Sequence, residues 1–416
     1  MDSIKRRRLL AIELLVGLAI AAFLIVRAQA RPSAPSPEPA SAPPVDLRAP
    51  ASALATGGDW AMEGSNPART RALPAELQLP LTQRRELVVK GDVGNGSPPT
   101  IARDTMLIEA NTTSSQKTLR AFDVQSGAER WAVYQKGLYI SPAVEGNRVF
   151  IRAEEANKGH VVALDLQSGK ELWAFAPKRI SSEATNFYGG HITSPAVVRG
   201  VVFVGAGKEV YALDAASGRV RWTYSALDLI TSSASVDSGR VYISDFKHFY
   251  ALDQNSGKLI WAISTPSSVY FSAVSAGSSV LVTNGDSLSA LDAASGAQRW
   301  IVKYPGDTGL IPAAVQGDRV FVKSTETLYA LDLQSGKELW RLHDLNYVSL
   351  PAVAGDQIFL VTGSGADSAV VAHNIADGSV AWKQTVGGLA NTAPVIAGST
   401  VYVRTTKGSV IGFWRG

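Results

Sequence analysis

The chain has 416 residues, with 40 Lys and Arg against 36 Asp and Glu, a formal net charge of +4 and no cysteine. The missing cysteines exclude disulfides, thiolate metal sites and a lipid-modified N-terminal cysteine. Five basic and two acidic residues among the first thirty carry +3 of that charge, which leaves +1 for the rest, and no basic stripe interleaved with aromatics occurs, so nucleic acid is not an expected partner.

Residues 1–30 read as a signal anchor or signal peptide. Lys5-Arg6-Arg7-Arg8 precede Leu9 to Val26, eighteen residues interrupted only by Glu13. Such a run just reaches the length of a membrane-spanning helix, and the basic flank belongs on the cytoplasmic side, so the remainder of the chain faces outward. Ala28-Gln29-Ala30 fits a small-residue cleavage site, which gives secretion after Ala30 as the alternative, but the long apolar run and Arg27 beside the cut favour an uncleaved anchor. Arg6-Arg7-Arg8-Leu9-Leu10 holds only part of a twin-arginine signal. Residues 31–56 form a Pro/Ala-rich linker, with seven prolines among the twenty residues from Arg31 to Pro50. That composition favours extended polyproline II, about 3.1 Å per residue, and makes a semi-rigid tether.

From residue 57 onward one phrase organises the chain. Ala330 to Trp340 reads A-L-D-L-Q-S-G-K-E-L-W, and versions of it end at Trp131, Trp173, Trp222, Trp261, Trp300 and, in worn form, Trp382. Successive tryptophans lie 42, 49, 39, 39, 40 and 42 residues apart, the period of one supersecondary unit stacked many times. Runs such as Val210 to Leu213 and Leu328 to Leu331 are β-branched, aromatic and aliphatic, as half-buried strands require. The Asp-x-x-Ser-Gly after each run predicts a hairpin: the carboxylate reaches backbone amides two residues on, and glycine accepts positive φ. Two further strand-like runs upstream, such as Ala313 to Val315 and Arg319 to Val322, bring each period to four strands, a propeller blade. Each indole buries about 150–250 Å², on the order of 4–6 kcal/mol gross, and a single blade cannot supply that cover, so the tryptophans are expected to dock between blades. The small alanine opening each phrase is suited to let an indole lie flat.

The phrase A-x-D-x-x-S-G-x-x-x-W resembles the tryptophan-docking motif of the PQQ-like (pyrroloquinoline quinone) β-propeller repeat family, which includes the BamB type of outer-membrane assembly lipoprotein. The resemblance extends to Asp59-Trp60 through Asn66-Pro67-Ala68-Arg69-Thr70, similar to the stretch that opens many such chains, and covers residues 57–416. Seven phrases give seven blades; the strand-like runs between Ala393 and Trp414 lack a fourth strand. Arg85-Glu86-Leu87-Val88 matches Lys337-Glu338-Leu339-Trp340, with Val88 where a tryptophan would sit. An N-terminal strand there would complete an eighth blade and remove open edges. The expectation is an all-β, eight-bladed propeller of four-stranded blades, with seven blades as the alternative, monomeric, behind an N-terminal helix. The missing N-terminal cysteine departs from BamB-type lipoproteins.

The resemblance implies either a scaffold or a quinoprotein dehydrogenase, whose PQQ and Ca²⁺ sit over the central channel with an Asp as base. Calcium takes six to eight oxygens, and catalysis needs a nearby proton acceptor. Residues just ahead of the recurring Pro-Ala-Val phrases should surround one channel mouth: Tyr139, Tyr188, His191, Tyr270, Tyr347 and Asn391. Only Asp307 and Glu183 stand near them as acids, a poor set for Ca²⁺. The long excursion Lys178 to His191 is expected to add Phe187, Tyr188 and His191 as an aromatic lip over the channel. His160, His191, His248, His343 and His373 show no metal-ligand spacing. His373-Asn374 replaces the usual Leu-Asp as a tolerated drift, and Gly363-Ser364-Gly365 reads as a hairpin turn. The expectation is a non-enzymatic, membrane-tethered scaffold outside the cytoplasm, without cofactor, binding envelope or cell-surface proteins. A PQQ-dependent dehydrogenase or a small-molecule or carbohydrate binder is the alternative.

Overall fold

Each phrase folds as its residues dictate. In blade 6 the strands Ile311–Gln316, Arg319–Lys323, Leu328–Asp332 and Glu338–Leu342 run antiparallel, with Phe321 opposite Ala330 and Ala330 opposite Trp340. At the turn the Asp332 carboxylate accepts from the Ser335 amide (2.8 Å) and hydroxyl, and Gly336 closes the bend at φ 70°. A bulge between Ala330 and Leu331 re-aims the last strand and its tryptophan.

The computed structural model describes residues 59–416 apart from 74–75, 91–96, 112–115, 137–140, 156–157, 178–192, 266–270, 308, 344 and 346–348. The strands form eight sheets, each built on four antiparallel strands, so the eight-bladed expectation holds and the seven-bladed alternative falls. Numbered in chain order, blade 1 covers residues 100–136, blade 2 143–175, blade 3 196–225, blade 4 235–264, blade 5 274–303, blade 6 311–342, blade 7 352–385, and blade 8 395–414 with Gln83–Leu87. Blade 8 is closed as expected: Gln83–Leu87 pairs with Val410–Trp414. Ala72–Leu73 adds a fifth strand, parallel to the inner strand Ala352–Ala354 of blade 7. Among the described residues no helix is long and apolar enough to cross a membrane; the expected anchor and linker lie outside them.

The tryptophans dock between blades. Trp131 Nε1 donates to Leu166 O (2.9 Å), Trp173 to Ala215 O (3.1 Å), Trp222 to Gln254 O (2.9 Å), Trp261 to Ala293 O (3.1 Å), Trp300 to Leu333 O (2.9 Å) and Trp340 to Ile375 O (3.1 Å). Every acceptor belongs to the turn of the following blade, one residue past its Asp or Asn. Trp382 packs edge-on against Phe413 of blade 8, with centroids 5.9 Å apart. The alanine of the phrase is the in-register partner of its own tryptophan, and the surface on which the indole lies flat is the next turn's glycine. A Cβ on Gly336 would stand 2.7 Å from Trp300 Cδ2, so that glycine serves both the bend and the docking.

One correction concerns the seam between blades 8 and 1. Val88 does not occupy the tryptophan position; it is 65% exposed. The register Tyr402 opposite Gly412 opposite Arg85 places Arg85 there, and its guanidinium donates to Ser126 O (2.5 Å) and Gln125 O.

Candidate functional site

The axial channel is where a propeller ordinarily offers a site, and here the chain's own opening segment occupies it. Residues 59–73 run along the inner strands, taking a backbone bond from one blade after another. Ile101 N donates to Trp60 O (2.9 Å), Val144 N to Ala61 O (2.8 Å), Val236 N to Pro67 O (2.8 Å), Ser275 N to Ala68 O (3.0 Å), Val315 N to Thr70 O (2.9 Å) and Val353 N to Arg71 O (2.9 Å). The segment thereby bonds to blades 1, 2, 4, 5, 6 and 7. It also folds on itself, Arg71 N donating to Gly64 O (3.0 Å), and residues 64–73 are all buried. We call it the collar.

Making that tight loop requires left-handed backbone at Gly64, Ser65, Arg69 and Arg71, with φ of 79°, 68°, 60° and 51°. Three of these are not glycine, and each such residue costs on the order of 1–3 kcal/mol, so the surroundings must hold them. Gly64 is obligatory, because a Cβ there would stand 2.8 Å from Arg69 Cα. Asn66 locks the bend: its Nδ2 donates to Thr70 Oγ1 (2.6 Å) and its Oδ1 accepts from Thr70 N (3.3 Å).

Arg69, 3% exposed, is the hub. Its Nε donates to Ala234 O (2.7 Å), its Nη2 to Ser194 O (3.4 Å) and its Nη1 to Glu63 Oε2 (3.0 Å), tying the collar to blades 3 and 4. Arg71 Nη2 lies 3.7 Å from Glu63 Oε1. Burial alone would raise the Glu63 carboxyl, but the Arg69 and Arg71 guanidiniums, with the Ser194 hydroxyl, hold the group below its ordinary value. Burial pulls both arginines down from the usual guanidinium range, against the attraction of Glu63.

The collar leaves a cavity at each end of the channel. One, of about 410 Å³, opens where the inner strands begin and is lined by Trp60, Glu63, Arg71, Lys323, Ser349 and Asn391 among others. The other, of about 600 Å³, lies at the inner-strand turns, with Asp59, Asn66, Arg103, Glu145 and Arg199 in its wall. Burial lowers the Lys323 ammonium at the first mouth and raises the Glu145 carboxyl at the second. Two buried arginines bridge neighbouring blades near the first mouth. Arg152 Nη1 donates to Thr193 Oγ1 (3.0 Å), and Arg404 Nη1 lies 3.4 Å from Glu109 O.

Of the rim residues expected from sequence, Asn391 lines the first cavity; Tyr139, Tyr188, His191, Tyr270 and Tyr347, with Glu183, Phe187 and the Lys178 to His191 excursion, lie outside the described residues. Asp307 has a partner after all, the Tyr329 hydroxyl, which burial first and this carboxylate second push up to about 12. His248 Nδ1 lies 3.0 Å from the fully buried Asp245, which also accepts from Tyr250 (2.5 Å). His373 is 5% exposed and its Nδ1 donates to Gly378 O (2.8 Å) in its own turn. Among the described residues no group of three or more His, Cys, Asp or Glu could hold a metal ion. The sequence singled out none of Glu63, Arg69 and Arg71 as site residues, although the opening stretch Asp59 to Thr70 contains the first two and Arg71 follows it directly.

A family model described as the outer membrane protein assembly factor BamB matches residues 157–286, 208–308 and 284–414, well over half of the chain. The chain belongs to this family of PQQ-like β-propellers. Comparison with curated proteins gives no match. Among solved structures, BamB from Moraxella catarrhalis is 17% identical with a TM-score of 0.59, over 81% of this chain and 100% of that one. The quinohemoprotein alcohol dehydrogenase from Comamonas testosteroni is 14% identical with a TM-score of 0.67, over 87% and 81%. The computationally designed protein Ika8 is 14% identical with a TM-score of 0.63, over 79% and 99%. At such identities these likenesses speak for the propeller fold alone, and they include a natural assembly factor, an enzyme and a design.

Proposed function

We propose that this protein is a non-enzymatic scaffold, tethered to a membrane through its N-terminal segment, whose propeller stands outside the cytoplasm and binds protein partners with the loops around the Asn391 mouth. The observation that carries this reading is the collar: the chain's own residues 59–73 bond to the inner strands of six blades, and Glu63, the carboxylate among the described residues lining that mouth, is already engaged by Arg69 and Arg71. Membership of the BamB family supports protein partners and an extracytoplasmic place. The second reading, a quinoprotein dehydrogenase, draws on the structural likeness to the Comamonas enzyme. Its metal needs six to eight oxygen ligands. Among the described residues of that mouth, a donor set of one paired carboxylate beside two cations, Arg71 and Lys323, does not fit a calcium and quinone pair.

A photo-crosslinking residue at Asn391 of the full-length chain, in its own membranes, tests the proposal, with the same probe at Arg199 on the opposite mouth as control. A discrete heterologous adduct from position 391 and not from 199 is expected. No adduct, combined with saturable PQQ and Ca²⁺ binding and dye-linked alcohol oxidation, would replace the scaffold by the enzyme.

A further inference from the structure

Seven of the eight seams between blades are served by a tryptophan of the preceding blade. The eighth, between blades 8 and 1, keeps the parts of an indole-docking pocket without the indole. In blades 2, 3, 4 and 6 an aromatic residue lies across the ladder from the tryptophan. Phe150, Phe203, Tyr242 and Phe321 approach Trp173, Trp222, Trp261 and Trp340 with centroids 5.8–6.0 Å apart. Tyr402 holds the same register position in blade 8, reached through Gly412. The turn glycine is also kept: Gly127 of blade 1 at φ 73° corresponds to the glycines on which the other indoles lie. The carbonyl one residue past the turn Asp, the acceptor of the indole N–H at six seams, is here that of Val124. Arg85 stands in the tryptophan register and reaches instead to the carbonyls of Gln125 and Ser126.

A guanidinium on a slender stem fills less than an indole, and a groove of about 340 Å³ remains, with Leu87, Met106, Val124, Tyr402 and Trp414 beside Arg85 in its wall. Arg85 and Tyr402 both line this groove; burial raises the Tyr402 hydroxyl, against the opposing effect of the Arg85 charge. We propose that this seam is a docking pocket for a tryptophan side chain of a partner protein, which would displace the Arg85 guanidinium and the Leu87 methyl group that now cover Gly127, each 3.2 Å from where its Cβ would stand, and lie there as the chain's own indoles lie over their glycines. The sister seams name the occupant: at six of them a turn glycine and a neighbouring turn carbonyl take the chain's own indole, and four of these indoles also have the aromatic floor. Shared geometry also names the orientation, with the indole N–H directed to the Val124 carbonyl.

This deepens the scaffold reading and rests on it, but it can be tested without any partner. The probe is N-acetyl-5-fluorotryptophan amide, titrated into the full-length chain in detergent and followed by fluorine NMR, where the protein's own tryptophans are silent. Saturable broadening with wild type is expected. Arg85→Trp, which fills the seam with the chain's own indole, should abolish the broadening and raise Tm. Should that variant not fold, Leu87→Trp fills the groove from the same strand and should abolish the broadening equally. No broadening with wild type, or broadening undiminished in the folded filled-seam variant, overturns the pocket. Either result leaves the crosslinking test at Asn391 unaffected, so failure of the pocket and failure of the scaffold are told apart.

Discussion

Two kinds of seam hold the ring of blades together. At six of the seven tryptophan seams an indole covers the next blade's glycine and donates to its turn, so the outer strand of one blade and the turn of the next are fixed by one side chain. At the seam between blades 8 and 1 the same strand position carries Arg85, and two hydrogen bonds to exposed turn carbonyls replace the buried ring. The difference teaches where closure comes from. Propeller blades gain little alone, so neighbour contacts carry most of the stability of such an array. The eighth seam relies instead on the strand Gln83–Leu87 drawn from the far end of the chain, and on the collar that stitches the inner strands from within.

The comparison predicts a graded series of effects. Trp300→Ala empties a docked seam and should cost about 3–5 kcal/mol as a large-to-small change in a core, read as a lower denaturation midpoint, whereas Arg85→Ala at the other kind of seam should cost no more than about 1 kcal/mol. Equal losses would erase the distinction between the seams. Gly336→Ala should cost about 2–3 kcal/mol, combining strained positive φ with a Cβ 2.7 Å from the Trp300 ring. Arg69→Met unties the collar from blades 3 and 4. It should cost about 2–3 kcal/mol, below the figure for a fully enclosed pair, because Glu63 keeps Arg71 and is 30% exposed.

The collar also predicts a pH dependence. The Glu63 carboxyl titrates below its ordinary value of 4.5 in the folded chain, so its contribution is fully present above that value. It is lost as pH falls through the lowered one. Glu63→Gln should therefore flatten the acid limb of a plot of Tm against pH, and an unchanged limb would show that the carboxylate is not charged in the folded state. The smallest effect belongs to His248→Ala. It should cost about 0.5–1 kcal/mol, because Asp245 retains Tyr250 and backbone amides as donors.

The repeat was legible because its period, its turn carboxylate and its tryptophan all state one hairpin, and each of those local signals agrees with the ring. Blade closure by a strand near residue 85 was legible too, since the last blade lacked a strand and an unpaired edge is costly. Its register was not. The shared Glu-Leu of Arg85-Glu86-Leu87-Val88 and Lys337-Glu338-Leu339-Trp340 was a false anchor. Blade 6 has a bulge between Ala330 and Leu331, whereas Gln83–Leu87 pairs without a break and is not tied by a hairpin turn. Both strands carry their seam residue third, Trp340 and Arg85. The collar escaped for a different reason: its bonds to the blades are backbone to backbone across up to hundreds of residues, and side-chain patterns do not encode them. Asp59-Trp60 and the Asn66 to Thr70 stretch marked the segment, but nothing local marked its route. At the rim, Asn391 stands ahead of an inner strand and lines the first cavity.

The collar is the claim on which the channel's chemistry turns, and hydrogen exchange of the full-length chain measures it directly. Peptides covering residues 60–73 should exchange as slowly as the inner strands they bond to, with Arg69 and Arg71 amides protected at the level of Val236 and Val353. Rapid exchange of that segment while the blades stay protected would show an open channel and would contradict the account.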